Sequence, residues 1–138
     1  IYPTTKRITI YPNLLSRYNI FLTDWTNLAN NYNYMESADD TAIVGKQLGE
    51  FLSNLGVDSS NTTLIGHSLG AHVSGIAADT YDSLTGSALN TVIALDPAGP
   101  LFEYGFKDES QRLDVTDANS VIALHSSSIL GYDDTLGN

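Results

Sequence analysis

The run Thr62-Thr63-Leu64-Ile65-Gly66-His67-Ser68-Leu69-Gly70-Ala71-His72 decides the fold. It opens on β-branched and apolar residues over a strand's length, after which Leu69, Val73, Ile76 and Ala77 recur at the spacing of one helix face. Between the two, Gly66-His67-Ser68-Leu69-Gly70 has the Gly-x-Ser-x-Gly pattern of a nucleophile elbow, a strained strand-to-helix turn that lifts a serine oxygen clear of a sheet edge. Both glycines are expected to be required, because a side chain at either place would collide with neighbouring backbone. A helix packed closely on a strand could carry the same five positions. The flanking strand and helix favour the elbow. A serine at such a helix N-terminus stands beside unpaired N–H groups, so the oxyanion of an attacked carbonyl can be met by the N–H of Leu69.

Outward from this turn, residues 20–23, 91–95 and 120–124 are apolar runs of strand length, ending at Asp24-Trp25, Asp96-Pro97 and His125. With the strand before Ser68 they predict four buried parallel strands. A helix is predicted from Ser37, with Val44, Leu48, Phe51, Leu52 and Leu55 as its apolar stripe and Asn54-Leu55-Gly56 as its stop. Asp39 and Asp40 are read as charges in its first turn, and Gly45 and Gly49 as allowing close packing on the sheet. Residues 27–34, rich in Asn and Tyr, are read as a surface loop, and residues 81–90 as a polar connection. Residues 1–10 read as a strand or a tail, Pro12-Asn13-Leu14-Leu15 as one or two helical turns, and the end of the chain as turn-rich. Strands alternating with helices imply an α/β fold, a parallel sheet with helices on both faces.

The chain has 138 residues, enough for one small domain with a core, and 42% of them are hydrophobic. Sixteen acidic against six basic residues give a net charge of −10, which argues against nucleic acid and anionic membrane surfaces as partners. No apolar run is long enough to span a bilayer, so no transmembrane segment is expected, and Ile1 opens no signal-like segment. The chain reads as a mature or cut piece. Having no cysteine, it has neither disulfides nor thiol chemistry. Asn61-Thr62-Thr63 is an acceptor tripeptide for N-glycosylation in an expected surface loop.

A serine hydroxyl needs a base to take its proton, and the base needs a carboxylate to hold its tautomer. Asp96, at the carboxyl end of the next strand, is the candidate acid. His67, inside the turn, and His72, one helical turn on, read as packing residues. His125 alone follows the acid in chain order.

Four stretches together resemble the pancreatic-lipase-like family of animal neutral lipases and insect phospholipases A. They are Asn19-Ile20-Phe21-Leu22-Thr23-Asp24-Trp25, Ile65-Gly66-His67-Ser68-Leu69-Gly70-Ala71-His72-Val73-Ser74-Gly75, Leu95-Asp96-Pro97-Ala98-Gly99-Pro100 and Arg112-Leu113-Asp114-Val115-Thr116-Asp117-Ala118. The resemblance implies a partial α/β-hydrolase fold over residues 1–138, and a serine hydrolase of lipid carboxyl esters, triacylglycerol or phospholipid, met at an interface. By position it makes Ser68 the nucleophile, Asp96 the acid and the Leu69 backbone an oxyanion donor. The family's second oxyanion donor, on a His-Gly loop, is expected before Ile1, and its lid and catalytic histidine beyond Asn138. His125 matches a histidine that ends a strand and hydrogen-bonds locally. Asp24 precedes the nucleophile, against the family's chain order, and takes a structural role beside Trp25. No cofactor is required, but some members bind one calcium in this region, implying Asp114 and Asp117 carboxylates with the carbonyls of Glu109 and Arg112 as ligands. An Asp-rich capping loop paired with Arg112 is the alternative. The family is extracellular. It also contains yolk-type storage proteins that keep the fold without catalysis; a peptidase or thioesterase would fit Gly-x-Ser-x-Gly but not the stretches around Asp96 and Asp114.

Overall fold

The structure, a computed structural model, describes residues 17–29, 33–103 and 106–126. The readings of residues 1–10, of Pro12 to Leu15 and of the end of the chain lie outside these. In order, the elements are α1 (Thr26–Ala29), α2 (Tyr34–Leu55), a 3-10 turn (Ser59–Asn61), β1 (Thr63–His67), α3 (Leu69–Thr85), β2 (Leu89–Leu95), a second 3-10 turn (Glu109–Gln111) and β3 (Ala118–Leu124).

The three strands form one parallel sheet in the order β1-β2-β3. The register pairs Ile65 with Ile93 and Ile93 with Ile122, and one turn of the pleat later His67 with Leu95 and Leu95 with Leu124. Side chains alternate across a strand. Leu64, Val92, Ala94, Val121 and Ala123 therefore face one side, where they pack with Ala71, Ala78 and Tyr81 of α3 and Leu52 of α2. Ile65, Ile122 and Leu124 face the other and are 64%, 45% and 55% exposed. The parallel sheet with its helices agrees with the α/β-hydrolase expectation, and among the described residues both long helices lie on one side of it.

The α2 helix starts at Tyr34, three residues earlier than its apolar pattern suggests, because Asn33 accepts the N–H of Met35 at 3.1 Å and caps it. Asp39 therefore lies beyond the first turn. Its role is an ion pair with Lys107, 2.8 Å away, and not a charge on the helix end. Gly56, at φ 66, ends the helix where Asn54-Leu55-Gly56 predicts it. Gly45 and Gly49 allow close packing, but on α3 and not on the sheet: a Cβ at Gly45 would lie 2.7 Å from that of Ile76, and one at Gly49 2.6 Å from the carbonyl of Ala77. The buried stripe accordingly runs through Ala38, Thr41, Val44, Gly45, Gly49 and Leu52, leaving Phe51 and Leu55 on its exposed rim.

Residues 20–23 are not a strand. They are exposed and belong to no helix or strand, with Phe21 edge-to-face on Phe51 of α2 at 6.1 Å between ring centres. An apolar run becomes a strand only where a neighbouring strand pairs with its N–H and C=O groups, and among the described residues the outer edge of β1 is not paired. The α3 helix also continues past Tyr81, whose ring is buried and whose hydroxyl donates to the Val57 carbonyl at 3.1 Å; Gly86, at φ 70, stops it.

Candidate active site

At the end of β1 the chain turns at Ser68 with φ 53 and ψ −121, a conformation that costs a residue with a side chain about 1–3 kcal/mol. Two hydrogen bonds hold it there. The N–H of Ser68 donates to the Leu95 carbonyl of β2 at 3.0 Å, and the Ser68 carbonyl accepts the N–H of Ala71 at 3.0 Å, opening α3. The N–H of Leu69 lies at the first helical position, where no preceding turn supplies an acceptor. A Cβ on Gly66 would collide with the carbonyl of Gly70 and lie 2.6 Å from Ser74 Oγ, because α3 doubles back over the strand at that point. Gly70 differs from the expectation: a Cβ there would meet nothing within 4 Å among the described residues.

Asp96 leaves β2 one residue after Leu95 and also has a positive φ, 47. Its N–H donates to the Leu124 carbonyl of β3 at 2.6 Å, prolonging the ladder past the strand. Its carboxylate accepts the N–H and hydroxyl of Ser126, at 3.1 and 2.8 Å. A carboxylate offers about four lone-pair positions, and the two bonds from Ser126 steady the group at the strand end. Nothing in the sequence marks Ser126 for this.

The register places His67, Leu95 and Leu124 in one row, so Ser68, Asp96 and His125 follow at the ends of three successive strands. Ser68 and Asp96 are neighbours there. His125 stands on the far side of Asp96, two strand spacings from Ser68, roughly 10 Å of backbone separation. A relay needs the imidazole between serine and acid. His67 is exposed and shares the open face with Ile65, so it is not a packing residue.

His72 is the packing residue expected, and more. It is fully buried, its ring stacked on Phe102 at 3.6 Å between centres and 5° between planes. Nδ1 accepts the N–H of Leu113 at 3.0 Å, which makes Nε2 the protonated nitrogen, donating to the Ala98 carbonyl at 2.8 Å. Burial pushes its pKa down to about 4. It thus ties the elbow helix to the loop after Asp96 and to the loop ahead of Asp114. Asp24 Oδ1 accepts the N–H and hydroxyl of Thr26, at 3.0 and 2.5 Å.

In the loop before β3, Asp114 and Asp117 are brought together and buried. Asp117 Oδ2 accepts the N–H of Asp114 at 2.8 Å and lies so close to α3 that a Cβ on Gly75 would collide with it. Asp114 Oδ1 accepts the N–H and hydroxyl of Thr116, and its Oδ2 stands 3.6 Å from Arg112 Nη1. Burial first, and then the charges of Asp114 and Asp79, push the carboxyl of Asp117 up to about 7. Asp79, one helical turn beyond Gly75, is a residue that helical spacing could have flagged. Among the described residues no three His, Cys, Asp or Glu side chains are grouped to hold a metal. A cation would rest on two carboxylates and on carbonyls. That donor set suits a hard cation, which would relieve the crowding of negative charge that raises Asp117.

Comparison with known proteins bears on this geometry. A family model described as Lipase matches residues 7–137. Lipase member H of Danio rerio is 36% identical over 121 residues, which cover 87% of this chain and 26% of that protein. Lipoprotein lipase of Sus scrofa is 39% identical over 108 residues, 78% of this chain and 22% of the relative. Phospholipase A1 of Vespa velutina is 38% identical over 108 residues, 75% of this chain and 35% of the relative. The chain thus spans between 22% and 35% of the length of these relatives.

Proposed function

Since the chain belongs to the lipase family, we propose that it is the central part of a serine hydrolase that cleaves lipid carboxyl esters, with Ser68 as nucleophile and Asp96 as triad acid. The carrying observation is that these two residues leave adjacent parallel strands at the same end of the sheet, both at positive φ. Such strain persists where surrounding structure over-determines it, and a storage protein has no use for it.

In the reaction, Ser68 Oγ attacks the ester carbonyl while an imidazole takes its proton. The C=O electron pair moves onto oxygen, which the N–H of Leu69 meets; one donor of this kind contributes about 3 kcal/mol to the transition state. Collapse expels the alcohol, protonated by the imidazolium, and leaves an acyl-Ser68 that water hydrolyses by the same steps. Asp96 holds the imidazole's tautomer and stabilises its charge. Neither His72, with both nitrogens engaged, nor His67, on the open face, suits the base. His125 lies on the wrong side of the acid. We assign the base, the second oxyanion donor and the lid to the remainder of the protein.

We further propose an extracellular protein acting on triacylglycerol or phospholipid at a lipid interface. Among the described residues no helix is long and apolar enough to cross a membrane. We also propose a structural calcium held by the Asp114 and Asp117 carboxylates and the carbonyls of Glu109 and Arg112. Its chemistry would be charge neutralisation that fixes this loop against α3. The test of the main reading is labelling of the full-length protein by a fluorophosphonate. Ser68→Ala should abolish both labelling and turnover, by about a thousandfold or more, with the fold unchanged. Wild-type turnover in that variant would refute the assignment.

A further inference from the structure

We propose that Asn61 is a modification site, carrying an N-linked oligosaccharide on its side-chain amide nitrogen. Asn61-Thr62-Thr63 is the acceptor tripeptide. Asn61 closes the 3-10 turn Ser59–Asn61 and Thr63 opens β1, and both side chains are exposed. The turn lies at the amino end of the parallel sheet, whereas Ser68 and Asp96 leave the carboxyl ends of β1 and β2. The length of β1 separates them, about 13 Å at about 3.3 Å per residue. A sugar chain there projects from the end of the sheet opposite the reacting serine.

The turn is built to tolerate the addition. Asp58 Oδ1 accepts the N–H and hydroxyl of Ser60 at 3.0 and 2.7 Å, and Oδ2 accepts a hydrogen from Asn61 Nδ2 at 2.7 Å. The Asp58 carbonyl accepts the hydroxyl of Thr62 at 2.7 Å. A primary amide carries two N–H hydrogens, so exchanging one for a sugar carbon leaves the other for Asp58. No residue of the turn is buried, so the addition displaces no core side chain. The donor class is an oligosaccharide joined through pyrophosphate to a lipid. Its anomeric C–O bond breaks, the pyrophosphate leaves with that electron pair, the new bond forms from Asn61 Nδ2 to the anomeric carbon, and one amide proton is released.

The proposal rests on the extracellular reading, because the transfer accompanies export. The test is to express the full-length protein in a secreting eukaryotic cell, treat it with peptide N-glycosidase, and sequence the peptide bearing residue 61 by mass spectrometry. Release should convert Asn61 to aspartate. Asn61→Gln and Thr63→Ala should each abolish the modification, and Thr63→Ser should retain it, with ester turnover unchanged throughout. Protein recovered from the medium with Asn61 unmodified overturns the proposal and leaves the extracellular reading standing. Protein confined to the cytosol overturns both.

Discussion

Acidification should expose the role of His72, but only when Asp117 is followed beside it. The folded pKa of His72 is about 4 against 6.5 for the free side chain. As pH falls from 6.5 to 4 the unfolded chain takes up a proton that the folded chain refuses, so stability drops by about 1.4 kcal/mol per pH unit, about 3 kcal/mol across the window. Asp117 has the opposite sign, its carboxyl being raised from 3.8 to about 7. Over that range the unfolded chain releases a proton as pH rises and the folded chain does not, so stability falls with rising pH by about 1.4 kcal/mol per unit. Where the windows overlap the two slopes cancel. The assay is urea unfolding of the full-length protein from pH 4 to 6.5 with a chelator present. His72→Gln should lose about 3 kcal/mol relative to wild type as pH rises through this range, because only the Asp117 slope is left, and Asp117→Asn should gain about as much. His72→Gln also leaves the N–H of Leu113 unpaired, an offset of about 1–3 kcal/mol that does not vary with pH, so the slope carries the test. Parallel profiles for wild type and His72→Gln would refute the assignment of a buried neutral imidazole.

Gly66→Ala should destabilise by about 1–3 kcal/mol or more through its collision with the Gly70 carbonyl, and Gly70→Ala by less than about 0.5 kcal/mol; equal shifts in thermal unfolding would contradict the account of the elbow. Millimolar calcium should raise the unfolding midpoint above pH 7 in wild type and not in Asp117→Asn, and calorimetry without a heat of binding would dispose of the cation. The isolated chain of residues 1–138 should be close to inactive and self-associating, since Ile65, Ile122 and Leu124 present an apolar face. Ser68-dependent turnover of a short-chain ester near that of a complete lipase would instead make His125 the base.

The elbow was legible because its signals are local: the change of period at Ser68 and the Gly66 contact lie within a few residues of each other. The C-terminal cap of α2 was legible for the same reason, Gly56 supplying the left-handed residue where the pattern ends. Asn33 is a good capping type, but it sits in an asparagine-rich run that offers several candidates, so the helix start was not. A start at Ser37 puts Asp39 in the first turn, and its partner Lys107 is distant in sequence. Residues 20–23 carry the same apolar signal as β2 and β3. A strand, however, is a relation between two segments, and one sequence run reports only its own half of it. Register has the same character. Apolar runs place Ser68, Asp96 and His125 at strand ends, yet only the pairing of His67 with Leu95 and Leu95 with Leu124 fixes their lateral order. That order, with the carboxylate in the middle, bears on His125 more heavily than its place after Asp96 in the chain. For His125 to accept the proton of Ser68 and donate to Asp96 at once, its ring would have to cross above the acid it is meant to lean on.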